Sequence, residues 1–158
     1  MTWYGVVNPT SGRAGSVFEE VVTTAKELRV DAVFIESQSG DHVTHLVADA
    51  VADGFRHFIS VGGDGTAHLV LNGFMSTGSG EGCSLAIVPA GSGSDFVRTF
   101  GHKRGIHAGL SRLTEPEPYV VDIGRVTGSF GARYFLNALN LGVAAASASI
   151  ATRLPRWM

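Results

Sequence analysis

The residues best suited to chemistry form the run Gly62-Gly63-Asp64-Gly65-Thr66, which follows the apolar stretch 58–61 and leads into the apolar-rich segment 67–74. Glycines at 62, 63 and 65 let the backbone approach a bulky anion with no Cβ in the way, and a helix that starts there adds unpaired N–H groups. This is an arrangement for holding a phosphate. An aspartate in its middle repels a phosphate unless a divalent cation lies between them, or unless its carboxylate caps the helix. A tight turn with an Asp cap is the plain alternative, and this stretch alone leaves both open.

A second loop repeats the chemistry. In Pro89-Ala90-Gly91-Ser92-Gly93-Ser94-Asp95-Phe96, the amides of Gly91 and Gly93 and the hydroxyls of Ser92 and Ser94 are phosphate donors, while Asp95 is placed to cap the helix that includes Val97 and Phe100. Polar loops also follow the β-prone run Trp3–Val7, as Asn8-Pro9-Thr10-Ser11-Gly12, and the run 32–35, as Ser37 to Gly40. His42 and His45 fall on one helix with no third ligand in sight, so a metal site is not expected there.

The elements that position these loops follow from periodicity. Strands are expected at 3–7, 32–35, 58–61 and 85–88. Between them lie helical stripes: Val17, Val21, Ala25 and Leu28 after Ser16 as cap; Val43, Leu46, Val47, Ala50 and Val51 after Asp41 as cap, closed by Gly54; and a helix from Thr66 to Phe74. Strands alternating with helices predict βαβ units, a parallel sheet and a ligand site at the strands' carboxyl ends, where all four polar loops fall. Further on, the pattern predicts a short helix at 106–113, a linker at 114–118, a hairpin with arms 119–126 and 132–137 that places Asp122 on a strand, and a helix at 144–153. The chain thus divides into an α/β domain at 1–117 and the opening of a second domain at 118–158, and is expected to be the front part of a longer polypeptide.

Composition narrows the class. A chain of 158 residues that is 44% hydrophobic buries one ordinary core. Twelve basic and fourteen acidic residues give a net charge of −2, with no basic field for nucleic acid. The single Cys83 excludes an intrachain disulfide and reads as a small buried hydrophobe in a reducing compartment. Residues 1–4 lack the charge and apolar core of a signal peptide, and the low-polarity run 141–151 is too short for a bilayer, so a cytoplasmic location is expected. Lys103-Arg104 is read as part of a solvated loop.

Taken together, Asn8-Pro9-x-Ser11-Gly12, Gly62-Gly63-Asp64-Gly65-Thr66 with Asn72-Gly73, and Pro89-x-Gly91-Ser92-x-Ser94-Asp95-Phe96-x-Arg98 resemble the diacylglycerol kinase catalytic domain family. Asp122-Ile123-Gly124 and Phe135-Leu136-Asn137 extend the match. The family includes bacterial soluble lipid kinases and sphingosine kinases and shares a superfamily with NAD kinases and phosphofructokinases. The resemblance implies a three-layer α/β nucleotide-binding domain with a mainly parallel sheet, followed by a β-rich lipid-binding domain. It implies ATP-dependent transfer of the γ-phosphate to a lipid hydroxyl, of diacylglycerol or a sphingoid base; a non-catalytic nucleotide-binding module and an NAD kinase-like enzyme are the alternatives. The implied ATP contacts are Asn8, Pro9, Thr10, Ser11 and Gly12, then Gly62, Gly63, Asp64, Gly65, Thr66, Ala67 and His68, then Gly91 and Ser92, with Ser37 standing where the family usually has threonine. Mg²⁺ is implied as a cofactor, with Asp64 its candidate ligand here. Transient membrane-surface contact and a homodimer are compatible with the resemblance. The catalytic base is expected beyond Met158, so these residues alone are expected to be inactive. Leu69 and Ser94 stand where the family tends to carry glutamate and asparagine.

Overall fold

Strand-forming and amphipathic helical runs alternate through the computed structural model, which describes residues 1–9, 16–90 and 94–136. The elements are β1 (Trp3–Val7), α1 (Ser16–Glu27), β2 (Ala32–Glu36), α2 (Gly40–Ala52), β3 (His57–Gly62), α3 (Asp64–Met75), β4 (Ser84–Pro89), α4 (Asp95–Thr99), α5 (Ile106–Ser111), β5 (Gly124–Gly128) and β6 (Gly131–Phe135). The first four strands make one parallel sheet in the order β2-β1-β3-β4, and β5 and β6 form a separate antiparallel hairpin. The helix expected at 144–153 lies outside the described residues.

Successive strand residues point to opposite faces of a sheet, and the core follows that rule. On one face Val7, Ile59, Val61 and Val88 pack with Val21 and Ala25 of α1 and with Ile106 and Leu110 of α5. On the other, Val6 and Phe58 meet Val43, Val47 and Ala50 of α2 and Val70, Leu71 and Phe74 of α3. The result is the expected three-layer α/β architecture. Val6, Val7, Phe58, Ile59, Val61 and Val88 are fully buried, and each such side chain stabilises by about 1.5–3 kcal/mol.

The connections fix where a ligand can sit. β1 leads through α1 to β2 on one side, β3 leads through α3 to β4 on the other, and α1 and α3 cover opposite faces. The chain therefore diverges after β1 and β3, and the crevice at such a switch point is where open α/β sheets take ligands.

Several local expectations change. The cap of α2 is Ser39, whose Oγ accepts the His42 N–H at 3.1 Å, while Asp41 lies in the first turn. The ring completes this cap, because His42 Nδ1 accepts the Gln38 N–H at 3.0 Å. Asp53 closes α2, with Gly54 following at a φ of 95°. Cys83 is half-buried at the margin of the core, not enclosed; burial pushes its thiol pKa up against the opposing pull of Arg56. The first hairpin arm begins only at Gly124, so Asp122 is not on a strand. Residues 119–123 carry no regular secondary structure and are exposed, with the Tyr119 ring 5.5 Å from Phe100. Among the described residues no helix is long and apolar enough to cross a membrane.

Gly73 fixes the approach of α3 to α2. A Cβ there would lie 2.6 Å from Val47 Cβ and 3.1 Å from the Thr44 carbonyl oxygen. Gly73→Ala is expected to cost about 1–3 kcal/mol by overpacking, read in thermal denaturation as a fall of roughly 2–4 °C per kcal/mol for a chain of this size.

Candidate functional site

Because the four strands are parallel, the loops after all of them lie along one edge, and main-chain bonds continue the ladder past the strand ends. The Asn8 N–H donates to Val61 at 3.2 Å, the Ser37 N–H to Val7 at 2.9 Å, and the Ala90 N–H to Gly62 at 3.1 Å. Asn8 also reaches into the next loop, with its Nδ2 donating to Thr66 Oγ1 at 3.3 Å. Pro9 follows, half-buried. Ser37 is buried, and its hydroxyl lies 3.3 Å from the same Val7 carbonyl that its amide engages. Both groups of Ser37 thus point at the end of β1. Thr10, Ser11, Gly12, Gly91 and Ser92 lie outside the described residues.

Asp64 ties the start of α3 to the start of α4. Gly63 is the N-cap of α3 and Asp64 is its first residue. The carboxylate turns away from its own helix to accept the Asp95 N–H at 2.9 Å and the Phe96 N–H at 3.4 Å. It therefore caps α4, a role expected of Asp95. Asp95 instead pairs with Arg98 at 3.2 Å on the surface, where an ion pair contributes little. Ser94 occupies the N-cap of α4 without a side-chain cap bond, its buried hydroxyl lacking a hydrogen-bond partner among the described residues.

The first turn of α3 is left facing outward. The Thr66 and Ala67 amides bond back to the Gly63 carbonyl at 3.0 and 3.2 Å. Asp64 and Gly65 contribute the first two helical N–H groups, which by position have no intrahelical acceptor. Among the described residues, a Cβ built on Gly65 would meet nothing within 4 Å. Glycine is not needed there for packing, and in a helix it costs about 0.5–1 kcal/mol relative to alanine. The open space it preserves lies outside the protein's own core.

That space is the mouth of a cleft of about 270 Å³. Asp64, Gly65, Ala67 and His68 form one side, and the apolar Phe96, Phe135 and Leu136 form the other. Burial, and secondarily the Arg133 charge, lower the His68 pKa from its ordinary value, which keeps the ring neutral at neutral pH. Sequence reasoning identified the polar side and missed the apolar one. Phe135 and Leu136 belong to the hairpin, and no local pattern says that a hairpin folds back over the start of α3.

Among the described residues no three His, Cys, Asp or Glu side chains cluster to hold a metal. Asp64 is the carboxylate at the cleft, and each of its oxygens keeps a lone pair beyond the amide it accepts. That donor set suits Mg²⁺, which is commonly held by one or two carboxylates together with phosphate oxygens and water.

A family model for the diacylglycerol kinase catalytic domain matches residues 2–126. A protein named diacylglycerol kinase from Mycobacterium tuberculosis is 30% identical over 129 residues, covering 80% of this chain and 40% of that protein. One of the same name from Bacillus subtilis is 30% identical over 138 residues, covering 84% and 43%. A probable lipid kinase, YegS-like, from Pseudomonas aeruginosa is 36% identical over 106 residues, covering 67% and 32%. The chain thus spans about two fifths of the length of the first of these relatives. The crystal structure of a diacylglycerol kinase from Bacillus anthracis str. Sterne matches with a TM-score of 0.73 at 24% identity, covering 94% of this chain and 50% of that one, a likeness of fold.

Two outcomes follow from the site's geometry. Asp64→Ala should remove the cap of α4 at a cost of about 0.5–2 kcal/mol, seen as a lower urea midpoint with an unchanged slope. The lowered pKa of His68 sets a pH dependence. Below about pH 6.5 the unfolded chain binds a proton that folded His68 resists, so stability present above that pH is lost as pH falls toward the depressed value. His68→Asn should therefore lose less stability than the wild type between about pH 7.5 and about pH 5.5, measured by urea unfolding.

Proposed function

Because this chain belongs to the diacylglycerol kinase catalytic domain family, we propose that it supplies the nucleotide-binding part of an ATP-dependent lipid kinase, which moves the γ-phosphate of ATP to the hydroxyl of a lipid such as diacylglycerol or a sphingoid base. The observation that carries this reading is the opening above Gly65, beside the Asp64 carboxylate and at the switch point between β1 and β3. Helix-start amides there meet anionic oxygens, and the helix dipole favours the negative charge.

In this reading the Asp64 and Gly65 amides bind phosphate oxygens, and Asn8, tied to Thr66, joins the end of β1 to that turn. Asp64 is the residue that would hold Mg²⁺, which when bound neutralises charge on the phosphates. The apolar wall of Phe96, Phe135 and Leu136 faces the lipid acceptor and excludes water from the transfer. The acceptor oxygen forms the new bond to phosphorus as the bond to the ADP oxygen breaks, and the hydroxyl proton passes to a general base. The reading places the protein in the cytoplasm, meeting its substrate at a membrane surface.

The test pairs a nucleotide-binding measurement with a transfer assay. ATP labelled on its γ-phosphate is incubated with the full-length protein, Mg²⁺ and micelles carrying diacylglycerol or a sphingoid base. Labelled lipid is the expected product. ATP binding with no transfer to any lipid would instead favour a non-catalytic nucleotide-binding module. Gly65→Ala separates binding from folding: thermal stability should be kept or slightly raised, while ATP affinity falls on the order of tenfold, about 1.4 kcal/mol. Wild-type affinity in that variant would remove the Gly65 opening from the nucleotide site.

A further inference from the structure

Asn72 lies on α3 one turn after His68, and its carboxamide is spent almost wholly on the hairpin. Nδ2 donates to the Tyr134 carbonyl at 2.8 Å, and Oδ1 accepts the Tyr134 N–H at 2.9 Å. The remaining amide hydrogen goes to the His68 carbonyl, also at 2.8 Å. With both hydrogens committed, the 3.4 Å approach to His68 Nε2 receives no proton from Asn72. The pair with Tyr134 is the pattern a neighbouring strand would supply. Tyr134 faces Arg125 across the hairpin, yet its N–H and C=O both go to Asn72 at the free edge. An isolated two-stranded hairpin is marginal in water, so a side chain standing in for a third strand fixes where this one lies. The residues that follow Tyr134 are Phe135 and Leu136, the wall opposite Asp64 and His68.

We propose that Asn72 is a positioning residue for the acceptor side of the cleft: by pairing with the main chain of Tyr134 it sets the distance of the Phe135–Leu136 wall from the start of α3. The identity of the acceptor rests on the lipid kinase reading above; the latch itself does not. Nucleotide binding, which uses the other end of the α3 turn, is independent of it. Asparagine is a poor helix former, and nothing in the packing of α3 calls for it at this position apart from these bonds.

The experiment uses Asn72→Asp in the full-length protein, with amide hydrogen exchange and steady-state kinetics on dioctanoylglycerol in detergent micelles. The aspartate keeps the size and the acceptor for the Tyr134 N–H but sets lone pairs against two carbonyls. Exchange at residues 132–136 should accelerate about tenfold or more, and the lipid KM should rise about fivefold, while the ATP KM stays within about twofold. Should Asn72→Asp fail to fold, Asn72→Ala carries the same readouts. Unchanged hairpin exchange, or equal rises in both KM values, would overturn the proposal. If the wild type transfers no phosphate to lipid, the kinase reading falls and exchange alone judges the latch: acceleration upholds it and no change refutes it.

Discussion

The Asp64 carboxylate accepts the first two N–H groups of α4 while standing at the first position of α3. One negative charge thus lies at the amino ends of two helices, where both dipoles favour it. Helix α4 spans five residues, too few to persist without outside support. The bond therefore supports α4 from outside and ties its start to the start of α3. Phe96, whose amide is one of the two donors, is held at the cleft by the same contact.

Most of the architecture was legible because it rests on local periodicity. Short β-prone apolar runs marked the strands and 3.6-period stripes marked the helices between them, and their alternation predicts a parallel sheet with its loops on one edge. What was not legible were contacts between distant residues. Asp41 and Asp95 looked like caps because an acidic residue precedes each apolar stripe, but Ser39 and the remote Asp64 take those roles. The stretch 119–123 reads as a strand by composition, yet Tyr119 is drawn to Phe100 and Val120 points wholly into solvent, so no ladder forms. On the site itself, the glycine loop and Asp64 stood out by residue type, whereas Phe135 and Leu136 came into the cleft through Asn72, some sixty residues away in sequence.

The motif that begins at Gly62 divides its glycines between folding and access. Gly73 is required because α2 leaves no room for a Cβ, and any residue larger than hydrogen would push two helices apart. Gly65 meets nothing among the described residues, so the packing they show tolerates the same substitution. A glycine kept where alanine would stabilise the helix is unfavourable for stability alone, and the opening at a helix start gives a reason for it. The two positions lie on one helix, which ties the shape of the cleft mouth to the packing behind it.

Leu69 and Ser94 depart from the family pattern in ways the surrounding contacts explain. Leu69 is absent from the cleft lining and packs instead into the core beside α2, its Cδ1 close enough to lie 3.4 Å from a Cβ on Gly40. A glutamate at that position would have set its charge near the start of α2, where the helix dipole favours it; leucine replaces that attraction with apolar burial behind the glycine loop. Ser94 stands at the N-cap of α4 and makes no cap bond, but the cap is already supplied from across the crevice by Asp64. Both changes therefore fall on the supports of the two loops, and the groups that face the cleft, Asp64, Gly65 and His68, keep their positions because α3 and the Asp64 bridge hold them independently of either side chain.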